Sequence, residues 1–193
     1  RKYAEAEPLY KRALTIVEKA LGPEHPSIAT SLNNLAALYQ AQGKYAEAGP
    51  LMKRSLAVRE KVLRMEHPLV SKSLNNLATL YQSQGKYAEA EALLKRALAI
   101  WEKTLGPEHP FVATSLNNLA STYFLQKRFT EAEPHMKRSL EIMEKILGAE
   151  HPNVAQIMRN YAFVLIKTGR KDEGAKMFLR AMAIRAANKK KNR

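Results

Sequence analysis

Cysteine is absent from the 193 residues. That excludes disulfides, thiolate metal sites and a cysteine nucleophile. It also fits a reducing compartment, so a cytoplasmic location is expected. No apolar run approaches the roughly 18 residues of a membrane span, and no signal peptide opens the chain. No segment alternates polar and apolar residues with period two, so no strand is expected. Catalytic signatures are missing as well: there is no phosphate loop, nucleophile elbow, metal-ligand spacing or paired carboxylate on an apolar face. Neither an enzyme nor a cofactor is expected. Acidic residues are scarce, 18 against 32 Lys and Arg, which leaves a net charge of +14. Such a balance points to a partner of acidic character: nucleic acid, anionic lipid or an acidic peptide.

What is present is repetition. Aligning Tyr3, Tyr45, Tyr87 and Phe129 brings the chain into register without gaps at a period of 42, and residues 3–44 and 45–86 agree at 27 of 42 positions. The copy at 129–170 is looser, and a half-copy follows to about residue 187. A fixed period of this length is the mark of stacked supersecondary units. Each unit holds two helical patterns. In the first, Ile28, Leu32, Leu35, Ala36 and Tyr39 form an apolar stripe at helical spacing. Pro26 suits the first helical turn and Gly43 the turn that ends the helix. The second pattern runs from Tyr45 through Ala48, Leu51, Met52, Ser55, Leu56 and Leu63. The first residue is not Met and the chain opens in mid-pattern, so further chain is expected before it.

The run Leu35-x3-Tyr39-x3-Gly43-x-Tyr45-x-Glu47-Ala48 resembles the tetratricopeptide repeat, a helix–turn–helix unit. The usual unit has about 34 residues, and here the second helix and the LGPEHP loop are longer. With AEPLYKRAL, LGPEHP and SLNNLA together, this long form is similar to the repeats of kinesin light chain. The resemblance implies an all-α, right-handed superhelix of about nine helices. Residues 1–187 would form one solenoid: a lone second helix at 3–20, then helix pairs at 26–64, 68–106, 110–148 and 152–187. A basic tail, 188–193, is expected to be solvated and disordered.

SLNNLA recurs letter for letter at 31–36, 73–78 and 115–120, although Asn costs about 0.5–0.7 kcal/mol against Ala in a helix interior. At 100° per residue, Thr30, Asn33, Asn34, Ala37, Gln40 and Ala41 lie opposite the apolar stripe. In tetratricopeptide arrays first helices line the concave surface, so the resemblance implies a ladder: Asn33 and Asn34, Asn75 and Asn76, Asn117 and Asn118, then Arg159 and Asn160. Amides can clamp a peptide backbone whatever its sequence. The competing reading is that the column of Asn34 bonds to the neighbouring unit and sets the stacking. Other columns of this face turn apolar toward the C-terminus. Gln40, Gln82, Phe124 and Ile166 form one, Ala37, Thr79, Ser121 and Phe163 a second, and Ala41, Ser83, Leu125 and Lys167 a third. With Lys72, Arg159 and Lys167 as cations, this predicts a pocket for a bulky apolar anchor on an acidic peptide. Kinesin light chains bind short acidic peptides with a tryptophan anchor, so the resemblance implies the same. Alternatively Phe124 and Phe163 seal the end of the array, where terminal repeats are atypical.

The remaining repeats have plainer readings. His25, His67, His109 and His151 recur in the EHP loop and read as loop and cap residues. The Lys-Arg pairs at 11–12, 53–54, 95–96 and 137–138 form a basic stripe on second helices. It reads as a solvated face partly offset by Glu18, Glu60, Glu102 and Glu144, and nucleic-acid binding through it is the alternative function. Homodimerisation through an exposed N-terminal edge is a third. The column Val17, Arg59, Trp101, Met143 and Arg185 reads as tolerant of exposure, with Trp101 partly packed. Lys127 replaces the turn glycine, so that turn is expected to differ.

Overall fold

The structure is a computed structural model and describes residues 2–191. Nine helices occur among them and no strand. They are α1 (Lys2–Leu21), α2 (Pro26–Ala41), α3 (Tyr45–Val62), α4 (Pro68–Ser83), α5 (Tyr87–Leu105), α6 (Pro110–Leu125), α7 (Phe129–Leu147), α8 (Pro152–Lys167) and α9 (Lys171–Lys191). The boundaries have local causes. Each of α2, α4, α6 and α8 begins with Pro, which lacks the N–H that a first turn cannot use. The preceding histidine is the N-cap. Its Nδ1 accepts a hydrogen bond from the N–H two residues on, at Ser27, Leu69, Phe111 and Asn153, satisfying one of the helix's orphan donors. The turns after α2, α4 and α8 pass through Gly43, Gly85 and Gly169 with φ of +74°, +74° and +90°. After α6 the same turn is kept at φ 61° by Lys127, so the expected change of geometry does not occur and a side chain occupies the left-handed region instead.

The chain falls into two compact units, Arg1–Ile100 and Trp101–Arg193. In the first, α1 packs on α2, α2 on α3 and α3 on α4. Its core includes Leu35, Tyr39, Met52, Leu56, Leu74, Leu77 and Leu80. Ser55 Oγ donates to the Ala29 carbonyl at 2.8 Å, and Ser71 Oγ to that of Ala97 at 3.0 Å. Both serines are buried and let neighbouring helices approach closely. Arg54 pairs with Glu18 at 2.6 Å and Arg96 with Glu60 at 2.5 Å. On α1, Leu9 and Ile16 are exposed, whereas Val58, the counterpart of Ile16 one repeat on, is buried.

In the second unit α6 packs on α7, α7 on α8 and α8 on α9. Leu116, Leu119, Met136, Met158, Leu165 and Ile184 are fully buried. Ser139 Oγ donates to the Ala113 carbonyl at 2.7 Å, and Arg138 reaches both Glu102 at 2.6 Å and the Pro107 carbonyl at 3.1 Å. Trp101 is buried rather than partly packed, its ring 4.7 Å from that of Phe111. The stretch expected to be a disordered tail continues α9 as far as Lys191. Asn188 Nδ2 anchors it by donating to the Glu150 carbonyl at 3.1 Å. The last two residues of that expected tail lie outside the described residues.

Candidate binding surface

The first helices α2, α4, α6 and α8 carry the amide columns. In the first unit Asn34 and Lys72 are exposed, and Asn33, Asn75 and Asn76 are half-buried. The Oδ1 of Asn33 is buried without a hydrogen-bond partner. Asn75 Nδ2 donates to the Ser71 carbonyl of its own helix at 3.2 Å. In the second unit Asn117, Asn118, Arg159 and Asn160 are half-buried. Asn160 Nδ2 donates to Asn117 Oδ1 at 3.4 Å, and Asn160 Oδ1 accepts from Gln156 Nε2 at 3.1 Å. Asn160 therefore spends its amide on the neighbouring repeat, as the stacking alternative describes.

The apolar residues of the second unit converge. Ser121, Phe124, Leu125, Met136, Asn160 and Phe163 line a cleft of about 190 Å³. Phe124 meets Phe129 edge-on with centroids 5.2 Å apart, and Phe163 meets Phe178 likewise at 5.7 Å. Phe163 and Leu125 are 45% and 48% exposed, so the cleft opens to solvent. Lys167, one turn beyond Phe163, is exposed.

The first unit holds a site that the sequence reading missed. Arg59, at the end of α3, is only 5% exposed. Its Nη1 donates to the Leu69 carbonyl at 3.1 Å and to Ser73 Oγ at 2.7 Å, both on α4. It pairs with no carboxylate among the described residues, and burial pushes its guanidinium below the usual value. Lys72, adjacent in sequence to Ser73, is exposed and has no ion pair among the described residues. In the second unit, Thr114, Asn117, Met143, Asn153, Gln156 and Ile157 line one cleft of about 160 Å³. Two repeats earlier the same positions are Thr30, Asn33, Arg59, Leu69, Lys72 and Ser73. The counterparts of a neutral cleft of the second unit thus include, in the first, two cations that pair with no carboxylate among the described residues. The signal available in the sequence was a charge, recurring at Arg185, in a column that otherwise holds Val17, Trp101 and Met143. The tolerance of exposure expected of this column holds at Arg185, which is exposed, whereas Arg59, Trp101 and Met143 are buried.

The basic stripe is largely neutralised at its arginines. Arg54, Arg96 and Arg138 each reach the glutamate of the preceding second helix, and Lys53 lies 6.0 Å from the centroid of the Tyr81 ring. Among the described residues no cluster of potential ligands could hold a metal ion, and no helix is long and apolar enough to cross a membrane.

A helical-repeat scaffold that presents its first-helix faces is a protein–protein interaction module, and comparison with known proteins agrees. The tetratricopeptide-repeat family matches residues 1–61, 69–133 and 111–187: the chain belongs to that family. Among solved structures, the nearly identical TPR-like repeats of a kinesin light chain candidate from Podosopora anserina are 34% identical. The match covers 96% of this chain and 88% of that one, with a TM-score of 0.79. BtubC (BKLC) from P. vanneervenii is 26% identical over 97% of this chain and 75% of its own, with a TM-score of 0.85. A Rap protein complexed with Competence and Sporulation Factor shares the fold, with a TM-score of 0.78 at 17% identity over 96% of this chain and 49% of that one. The comparison with curated proteins gave no match. The repeats are of the kinesin light chain-like type.

Proposed function

We propose that the chain captures an extended acidic segment of a partner protein along its first-helix faces. The observation that carries this reading is the Arg59 niche. A buried cation without a carboxylate is costly, and an incoming carboxylate would offset that cost, with Lys72 beside it. Asn33, Asn34, Asn75, Asn76, Asn117 and Asn118 would hold the backbone. Ser121, Phe124 and Phe163 would take a bulky apolar anchor, with Asn160 lining the same cleft and Arg159 and Lys167 as further cations of this face. Binding weakens with salt because exposed charges are screened. The pairing of Arg54, Arg96 and Arg138 with glutamates argues against nucleic acid as the preferred ligand of the stripe, since those charges are already offset.

The test is fluorescence anisotropy with acidic peptides, with and without a central Trp, alongside single-stranded RNA. Wild type is compared with an Asn75→Ala/Asn117→Ala double variant of checked helicity. Acidic peptides bind, Trp strengthens the binding, and the double variant loses roughly 1–3 kcal/mol. Preference for RNA, or peptide binding untouched in the double variant, refutes the reading.

A further inference from the structure

Three of the six positions lining the cleft of Thr114, Asn117, Met143, Asn153, Gln156 and Ile157 recur one repeat later. A shift of 42 residues carries Thr114, Asn117 and Met143 to Gln156, Arg159 and Arg185. Two neutral side chains are replaced by two guanidinium groups, one on α8 and one on α9, helices that pack directly on each other. At two earlier positions of the column a following first helix covers the side chain: Arg59 bonds to α4, and the Trp101 ring lies 4.7 Å from that of Phe111 on α6. Arg185, by contrast, is exposed.

Charge at this end is unbalanced. Neither Arg159 nor Arg185 pairs with a carboxylate among the described residues. Glu144 and Glu150 lie toward Arg180 instead, at 3.7 and 4.0 Å. Lys189 sits four residues after Arg185, on the same face of α9, and is exposed, with no ion pair among the described residues. The Nε of Arg159 is buried and has no hydrogen-bond partner. Orphaned buried donors are rare in native proteins and call for an absent partner. Asn188 holds this part of α9 in place through the carbonyls of Glu150 and Ile184, so the cations are presented from an ordered helix.

We propose that Arg159, Arg185 and Lys189 form a phosphate-binding niche at the end of the second unit, with Gln156 on its wall. Guanidinium forks match the oxygens of a phosphate bidentately. Three cations without a counter-charge suit a dianion better than one carboxylate. The phosphate belongs either to a free phosphate compound or to a phosphorylated side chain of a partner. The inference goes beyond the acidic-segment reading: Arg159 belongs to both, but Arg185 and Lys189 belong to the niche alone, so phosphate binding lost in Arg185→Gln with acidic-peptide affinity kept separates the two.

The experiment is isothermal titration of the full chain at constant ionic strength, with inorganic phosphate in one arm and a phosphoserine tripeptide in the other. Wild type binds phosphate, Arg159→Gln and Arg185→Gln each weaken it at least about tenfold, and Lys137→Gln leaves it unchanged. Circular dichroism checks the fold. Arg185 is exposed, so Arg185→Gln carries the test even if Arg159→Gln disturbs packing. Tighter binding of the tripeptide assigns the niche to a phosphorylated partner, and equal binding assigns it to free phosphate. No heat with either probe, or identical affinities in wild type and both arginine variants, overturns the proposal.

Discussion

Arg59→Met copies into the first unit the residue that stands at the same place in the second, Met143. The two side chains are of similar size, so the niche between α3 and α4 keeps its packing while losing its charge. Two hydrogen bonds go, to the Leu69 carbonyl at 3.1 Å and Ser73 Oγ at 2.7 Å. Bonds to a charged group contribute about 1.5–3 kcal/mol each, but neither acceptor is stranded. Leu69 O lies inside α4, where a carbonyl already accepts from the helix ladder, and Ser73 Oγ can turn to that same carbonyl four residues back. Against these losses stands the desolvation of a guanidinium with no counter-ion, several kcal/mol. Replacing a buried ion pair by apolar side chains is often neutral or stabilising by about 1–4 kcal/mol, and here no partner charge would be left stranded. We expect stability to be unchanged or to rise by up to about 3 kcal/mol, while affinity for acidic peptide falls at least about tenfold, 1.4 kcal/mol. Urea unfolding followed by circular dichroism measures the first. Midpoints are the quantity to compare, because repeat arrays need not unfold in one step. Anisotropy with the acidic peptide measures the second. A loss of more than about 2 kcal/mol, as expected when a group holds its surroundings together, with peptide affinity intact, would refute the reasoning and make Arg59 a structural tie.

Lys127→Gly removes a side chain from a backbone at φ 61° and should raise stability by about 0.5–1 kcal/mol, the left-handed strain less the added freedom of the unfolded chain; an unchanged urea midpoint sinks this. Gly174→Ala should cost about 1–3 kcal/mol, although Ala48, Ala90 and Ala132 occupy the same column. A Cβ there would lie 2.7 Å from Ile166 Cγ1 and 2.8 Å from the Ala162 carbonyl, and the backbone oxygen cannot step aside. Equal stability of that variant would mean that α8 and α9 are spaced like the earlier pairs. The hydrogen bond from Lys11, and then that from Lys44, hold the Glu7 carboxyl down at about 2 from 4.5. A depressed carboxylate contributes stability above its unfolded pKa and loses it as pH falls through the folded value, so Glu7→Gln should flatten the decline between pH 4.5 and about 2. A decline as steep in the variant as in wild type would count against the pairing.

The fold was legible because the period writes the same boundaries repeatedly. Pro26, Pro68, Pro110 and Pro152 open first helices for a local reason, the unused first-turn N–H, and glycine closes most of them through a backbone few other residues adopt. The meeting of Phe124 and Phe163 was also legible, since helical spacing and the 42-residue shift put both on one face of successive first helices. Arg59 was not. A column tells which way a side chain points, but not whether the following helix covers it, nor whether a covered charge finds a counter-charge. Burial of Arg59 was decided by Leu69 and Ser73 on α4. The bond from Asn160 to Asn117, which separates a stacking amide from a presented one, spans 43 residues. The neutralising of Arg54, Arg96 and Arg138 depends on glutamates 36 residues earlier. Helical pattern, caps and turns follow from neighbours a few residues away, so the sequence alone determined the elements and the order in which they stack. Which charges are paired, which are buried bare and which amides remain for a ligand depends on distances between residues a whole repeat apart, and those exist only once the helices have packed.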